Sequence, residues 1–355
     1  MRIGIPRERR PFELRVGLSP AGVEILCHQG HQVFVEEEAG AGAGFTNDEY
    51  ERAGAQVVFS PMDVFSRSEL VLKMSRPLLD EVVALNPGTT LMSLLHMASA
   101  PKEMLEMLLK NKISAVAYEQ IRLYDGSLPV LRPFSQIGGQ MSAQIAARLL
   151  QNNSGGTGIL LGGIAGVPPA EVVILGAGMV GTYATRAFLG LGAHVTVLDR
   201  DVEALQTIYD RFPQIVTMVS TRRNVERACS YANVVIGAVL VPGERTPMMV
   251  TRAMISKMKL RSVIIDLSID QGGCFETSRP TTHDDPTFVE SGVIHYCVPN
   301  IPGVVARTAT HAFVNTAMPY IMEVASLGIA KAMEHNPAIV AALNTYNGRH
   351  LHLTH

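Results

Sequence analysis

Gly176-Ala-Gly178-Met-Val-Gly181 is the segment that most narrows what this chain can become. It follows directly on the apolar run Glu171-Val-Val-Ile-Leu175 and opens a helix-like stretch that reaches Leu191-Gly192. The next strand-like run, His194-Val-Thr-Val-Leu198, ends in an acid, Asp199. Strand, glycine turn, helix, strand and acid in that order form a dinucleotide-binding fingerprint. Gly176 permits the tight turn, Gly178 lets the backbone approach a pyrophosphate, and Gly181 lets helix and strand pack closely. The helix N-terminus then presents free N–H groups to phosphate. Asp199 accepts hydrogen bonds from an adenosine ribose and repels a 2′-phosphate, which favours NAD over NADP, although Arg200 stands beside it.

The alternation of strand and helix extends in both directions. Downstream, Asn233-Val-Val-Ile-Gly237, Ser262-Val-Ile-Ile-Asp266 and Val293-Ile-His-Tyr-Cys297 read as further strands of a doubly wound sheet. Upstream, residues 1–6, 31–36, 69–73 and 114–118 read as strands of another α/β layer. A helix over residues 21–28 is capped by Ser19, started by Pro20 and stopped by Gly30. A polar, glycine-rich segment, residues 151–158, separates the two regions. Residues 159–181 are the longest apolar stretch, but Pro168, Pro169 and Glu171 make them loop plus strand rather than a membrane span. Residues 309–342 read as helical, with Pro319 near an N-terminus, and are expected to pack back onto the first domain.

At 355 residues the chain exceeds one compact core. The expected architecture is α/β, with two Rossmann-like doubly wound domains separated by a cleft. Residues 1–135 with 306–355 would bind substrate, and residues 136–305 would bind NAD. A formal charge of −2 excludes the basic footprint of a nucleic-acid binder, and 47% hydrophobic residues exclude disorder. Cys27, Cys229, Cys274 and Cys297 show no C-x-x-C spacing, so neither a disulfide framework nor a zinc ribbon is expected. Arg9-Arg10-Pro11-Phe12 looks superficially like a twin-arginine signal, but Glu13, Arg15 and Glu24 interrupt any apolar region after it. A cytoplasmic location without a membrane partner is therefore expected. His350, His352 and His355 read as an exposed, frayed tail, and His283-Asp284-Asp285-Pro286 as a turn; no metal is expected.

Several longer stretches carry a resemblance. They are Glu13-Leu-Arg15-Val-Gly-Leu-Ser-Pro20, Leu95-His96-Met-Ala98, Ala117-Tyr-Glu119, residues 236–243, and above all Ile269-Asp270-Gln-Gly-Gly-Cys-Phe-Glu276 followed by Ser278-Arg279-Pro-Thr-Thr-His-Asp284. Through them the chain resembles the alanine dehydrogenase family, shared with the soluble part of pyridine nucleotide transhydrogenase. The histidine and the glycine loop favour the dehydrogenase branch. The resemblance implies reversible oxidative deamination of L-alanine, or a related small amino acid, by NAD to pyruvate and ammonium. It also implies a homo-oligomer, commonly a hexamer, for which the small apolar residues 316–332 offer a contact.

The same resemblance assigns roles. Arg15 grips the substrate carboxylate, His96 is the acid/base, and Asp270 activates water or ammonia. Ser135, Gly176, Gly178, Met179, Val180, Gly181, Asp199 and Ser220 are implied cofactor contacts. So are Val239, Leu240, Leu267 and Ile269, with Asp270 doubling as one; Arg279 is expected on phosphate or ribose. Asn300, Ile301 and Pro302 complete them.

The chain departs from the family at Lys73-Met-Ser75-Arg-Pro77. The family usually reads Lys-Val-Lys-Glu-Pro, and its second lysine joins the arginine on substrate; here that slot is Ser75. Strand alternation puts Lys73 on the face of Ser75 and Arg76 on the opposite one. Leu94 stands where the family has a bulky ring, and Phe134 where it has methionine. These changes surround one pocket. They leave open an oxidoreductase with an altered amino- or imino-acid substrate, and a catalytically weak NAD-binding regulator.

Overall fold

The computed structural model describes residues 1–240 and 245–351. Two compact domains divide the chain. The first comprises Met1–Phe134 and the chain from Pro302 onward, and the second is Ser135–Ile301.

In the first domain, β1 (Arg2–Ile5), β2 (Gln32–Glu36), β3 (Gln56–Val58), β4 (Leu70–Ser75), β5 (Thr90–Leu94) and β6 (Ser114–Ala117) form a parallel sheet in the order β3-β2-β1-β4-β5-β6. Leu343–Tyr346 adds antiparallel to β6, and Arg349–His350 pairs antiparallel with it. The order 3-2-1-4-5-6 reverses direction between β1 and β4, and ligands bind at the strands' carboxyl ends there. The helix Pro20–His28 starts as its residues dictate: Ser19 accepts a hydrogen bond from the Gly22 N–H, and Gly30, at φ +82°, lets the chain turn away.

The second domain repeats the plan. Its strands are β7 (Glu171–Leu175), β8 (His194–Asp199), β9 (Val216–Val219), β10 (Val234–Gly237), β11 (Val263–Asp266), β12 (Thr287–Glu290) and β13 (Val293–Tyr296), in the order β9-β8-β7-β10-β11-β13-β12. Only β12, at the edge, is antiparallel. Helices cover both faces, so strand residues are apolar on both sides. Val172 and Ile174 enter one core with Val195, Val197 and Ile236, while Val173 and Leu175 enter the other with Leu198 and Ile264.

Three expectations need correction. Pro319 lies inside the helix Ala306–His335, not near a start; burial of Phe313, Ala317, Ile321 and Val324 holds the helix across the proline. The helix breaks instead at Gly328, whose φ of 74° and ψ of 157° are not helical. His350 is not frayed, because it pairs with Thr345 across the hairpin; His352 and His355 lie outside the described residues. Finally, β3, β5, β9 and β12 and the C-terminal hairpin are additional strands. Among the described residues no helix is long and apolar enough to cross a membrane, and no cluster of metal-ligating side chains occurs.

Candidate active site

In the second domain the glycine loop is built as a cradle. Gly176 adopts φ +112°, and a Cβ there would lie 2.4 Å from the Ala238 carbonyl. A Cβ on Gly181 would come within 1.9 Å of the Gly176 carbonyl oxygen, so neither position accepts a side chain. Gly178 differs, because a Cβ on it meets nothing within 4 Å. That opening sits at the start of the helix Met179–Gly190, where Gly178 is the N-cap and no side chain caps the first N–H groups. A diphosphate suits such a cradle. Asp199 braces it, accepting from the Ala177 N–H at 2.7 Å and the Asp201 N–H at 2.9 Å, and its carbonyl receives the Ser220 N–H. Each accepting oxygen keeps a lone pair.

The loops after β10 and β11 meet beside it. Val239 donates its N–H to the Ser268 hydroxyl, which donates back to the Val239 carbonyl, and the Leu267 N–H reaches Gly237. Asp266 organises the second loop by accepting from the N–H groups of Ser268 and Cys274 and from the Ser278 hydroxyl. Burial pushes its carboxyl above the usual range, although these donors favour the ionised form. Ile269–Gln271 form a short 3-10 turn that leaves Asp270 exposed. Ser135 lies on the helix Arg132–Leu149, whose Gly139 packs so tightly on the glycine-loop helix that a Cβ would sit 2.5 Å from the Val180 carbonyl. Met179 and Leu240 are exposed. The Arg279 guanidinium lies 4.1 Å from the centre of the Phe288 ring on the edge strand, directly after Ser278, whose hydroxyl donates to Asp266. Asn300 takes a left-handed φ of 54°, and Ile301 and Pro302 lie in the 3-10 turn after it.

In the first domain the chemistry gathers at the carboxyl ends of β1, β4, β5 and β6. Arg15 is buried in a two-pronged ion pair, Nε to Glu13 at 2.6 Å and Nη2 at 2.5 Å, and its guanidinium stands 4.9 Å from the Phe134 ring centre. Phe134 stacks in turn on Phe313. Glu8, which sequence reasoning did not single out, is a hub. Lys73 Nζ lies 3.1 Å from it, the Met74 N–H donates to it at 2.6 Å, and the Ser75 hydroxyl donates to its other oxygen. Lys73 also reaches Glu81 at 3.3 Å, with all three charged side chains buried. Burial alone would lower the Lys73 ammonium, but Glu8 and Glu81 hold it above its ordinary value. Glu8, Glu13 and Arg15 line one cavity of about 450 Å³.

Arg76 turns away from Glu8, as alternation requires, toward the loop that carries His96. Ser75 and Leu94 are partners in the β4–β5 register, which puts His96 just beyond. The His96 side chain is exposed and its backbone left-handed, φ 44° and ψ 52°. Glu119, quoted above only as part of a motif, accepts the N–H of both Leu95 and His96. Arg15 and His96 thus lie in the first domain, and the glycine cradle, Asp199, Asp270 and Arg279 in the second.

Comparison with known proteins agrees over the whole length. The family profile described as alanine dehydrogenase/PNT, N-terminal domain, matches residues 4–138, and the C-terminal domain profile matches residues 142–353. An alanine dehydrogenase of Methanococcus maripaludis is 44% identical over 98% of this chain and 94% of its own. One of Staphylococcus haemolyticus is 46% identical over 100% and 94%. A solved structure titled L-alanine dehydrogenase superposes with a TM-score of 0.96 at 44% identity, covering 99% of this chain and 97% of that one. A transhydrogenase from Sinorhizobium meliloti shares the fold at a TM-score of 0.86 and 24% identity. With both profiles matched end to end, the chain belongs to the alanine dehydrogenase/PNT family.

Proposed function

We propose that the protein catalyses the reversible, NAD-dependent oxidative deamination of L-alanine to pyruvate and ammonium. The observation that carries this reading is the near-full-length likeness to curated alanine dehydrogenases at 44–46% identity. The open space at Gly178, the uncapped helix start and the acid at the end of the next strand fit a dinucleotide, whose nicotinamide supplies a hydride acceptor when bound.

In this reading Arg15 orients the substrate carboxylate through its remaining donors, with the Glu13 fork and the Phe134 face fixing the guanidinium. Loss of hydride from Cα leaves an imine carbon, which water attacks. His96 takes one proton from that water and returns it to nitrogen; as the C–N bond breaks and ammonia departs, the remaining hydroxyl proton passes to the imidazole and the carbonyl of pyruvate forms. Asp270 orients the water. Lys73 and Ser75 act through Glu8, holding its carboxylate toward the cavity. Family likeness also supports a homo-oligomer, with a hexamer as the proposed state, and a cytoplasmic location.

Steady-state rates with a panel of amino acids, and with pyruvate plus ammonium, test the substrate. Alanine is expected to lead by kcat/KM, and a different preferred amino acid would overturn the assignment. For the cofactor, Asp199→Ser is expected to lower the NAD-over-NADP preference by about 10-fold or more, because a ribose acceptor and a charge repelling phosphate are lost together. An unchanged ratio would remove Asp199 from coenzyme discrimination.

A further inference from the structure

Resting on the reading of His96 as the acid/base, we propose that Glu119 and Arg76 are a pair of positioning residues that clamp the His96 backbone and thereby aim its imidazole. His96 occupies the left-handed region, at φ 44° and ψ 52°. A residue with a Cβ rarely stays there unless its surroundings impose it, and such outliers cluster where function demands them.

The surroundings impose it from both sides. The Glu119 carboxylate spans two consecutive N–H groups, one oxygen on His96 at 2.6 Å and the other on Leu95 at 3.1 Å. Arg76 Nη1 takes the carbonyls, His96 at 2.9 Å and Leu95 at 3.3 Å, and reaches the Ser99 hydroxyl oxygen at 3.4 Å. The Ser99 hydroxyl itself donates to the His96 carbonyl at 3.0 Å. Both peptide groups flanking the histidine are therefore held by charge-assisted bonds. The two clamps come from different strands, Arg76 just after β4 and Glu119 just after β6, and they close on the end of β5 between them. Neither needs to touch substrate. Arg10 holds the other side of Arg76, its Nε donating to the Arg76 carbonyl at 2.8 Å.

Geometry also says which variants are informative. Glu119→Gln keeps one acceptor but turns an NH2 toward the second backbone N–H. Arg76→Ala removes the carbonyl clamp, and Arg76→Lys restores one cationic donor nitrogen. Glu119→Gln and Arg76→Ala are each expected to lower kcat for alanine about 10- to 100-fold, the scale of a displaced catalytic group. KM and the NADH dissociation constant should stay within about threefold, and Arg76→Lys should recover part of the rate.

The discriminating measurement is a cycle with His96→Asn. If the clamp works through the imidazole, adding Glu119→Gln to His96→Asn lowers the residual rate by less than about threefold. Multiplying losses in the double variant, or full kcat in both single variants, would overturn the clamp. A wild-type enzyme that turns over no amino acid with NAD, or a His96→Asn variant with full activity, would instead overturn the underlying reading.

Discussion

His96→Asn is expected to lower kcat for alanine oxidation by about 10²- to 10⁴-fold while NADH binding persists, because one positioned acid/base contributes on that scale. Asparagine fits the site for a backbone reason as well as a chemical one. It tolerates the left-handed conformation that the loop imposes, so the Glu119 and Arg76 bonds to the backbone survive the change. Alanine would confound the two effects. The loss should appear in both directions, since the same proton leaves water during deamination and enters oxygen during amination. Stopped-flow rates with saturating coenzyme, alongside a fluorescence titration of NADH, give the comparison. A variant that keeps more than about a third of the wild-type rate would remove the imidazole from the chemistry.

Lys73→Met is expected to destabilise the first domain by about 3–5 kcal/mol, the range for breaking a buried ion pair by deleting one partner. The substitution leaves Glu8 and Glu81 facing one another without the ammonium that lies 3.1 Å from one and 3.3 Å from the other. Arg9 partly compensates Glu81 but not Glu8. Replacing all three charges together, with Glu8→Gln and Glu81→Gln added, is expected to regain much of the loss, because no uncompensated charge then remains in the interior. The pH dependence has a definite sign. Lys73 titrates above its ordinary value in the folded state, so its contribution is complete below about pH 10.4, where the unfolded lysine titrates, and fades as pH rises through the folded value. Denaturation midpoints should therefore fall on the alkaline side in the wild type, and less steeply in Lys73→Met. A single variant within 1 kcal/mol of wild type would show that the cluster is solvated and uncoupled.

What the sequence reveals, and what it conceals, follows from the range of each interaction. The β7 strand, the glycine turn and the β8 acid are legible because their constraints are local: a turn that excludes Cβ, a helix start, a strand buried on both faces. The strand Thr90–Leu94 escapes because its residues, Leu91, Met92, Ser93 and Leu94, include no β-branched residue besides Thr90, and neighbours β4 and β6 decide its state. The Pro319 helix escapes for the converse reason, since packing outweighs a strong local signal. Of the proposed site residues, Arg15, His96 and Asp270 are readable through family motifs. Their supports are not. Glu8 lies 65 residues from Lys73 in sequence, and Asp266 looks like any strand-end acid until its loop folds back to it. Arg76 changes meaning most. In the sequence it is only a departure from the family pattern on the face opposite Ser75; in the structure it holds the neighbouring loop by its carbonyls.

The pairing of Leu343–Tyr346 with β6 has a temporal consequence. A ribosome makes β6, then the entire second domain, and only afterwards the strand that covers the β6 edge. Throughout that interval the nascent first sheet offers an unshielded ladder of N–H and C=O groups, the kind of surface that recruits stray chains. Truncations ending before residue 343 should accordingly be far more prone to aggregate than their small loss of mass suggests.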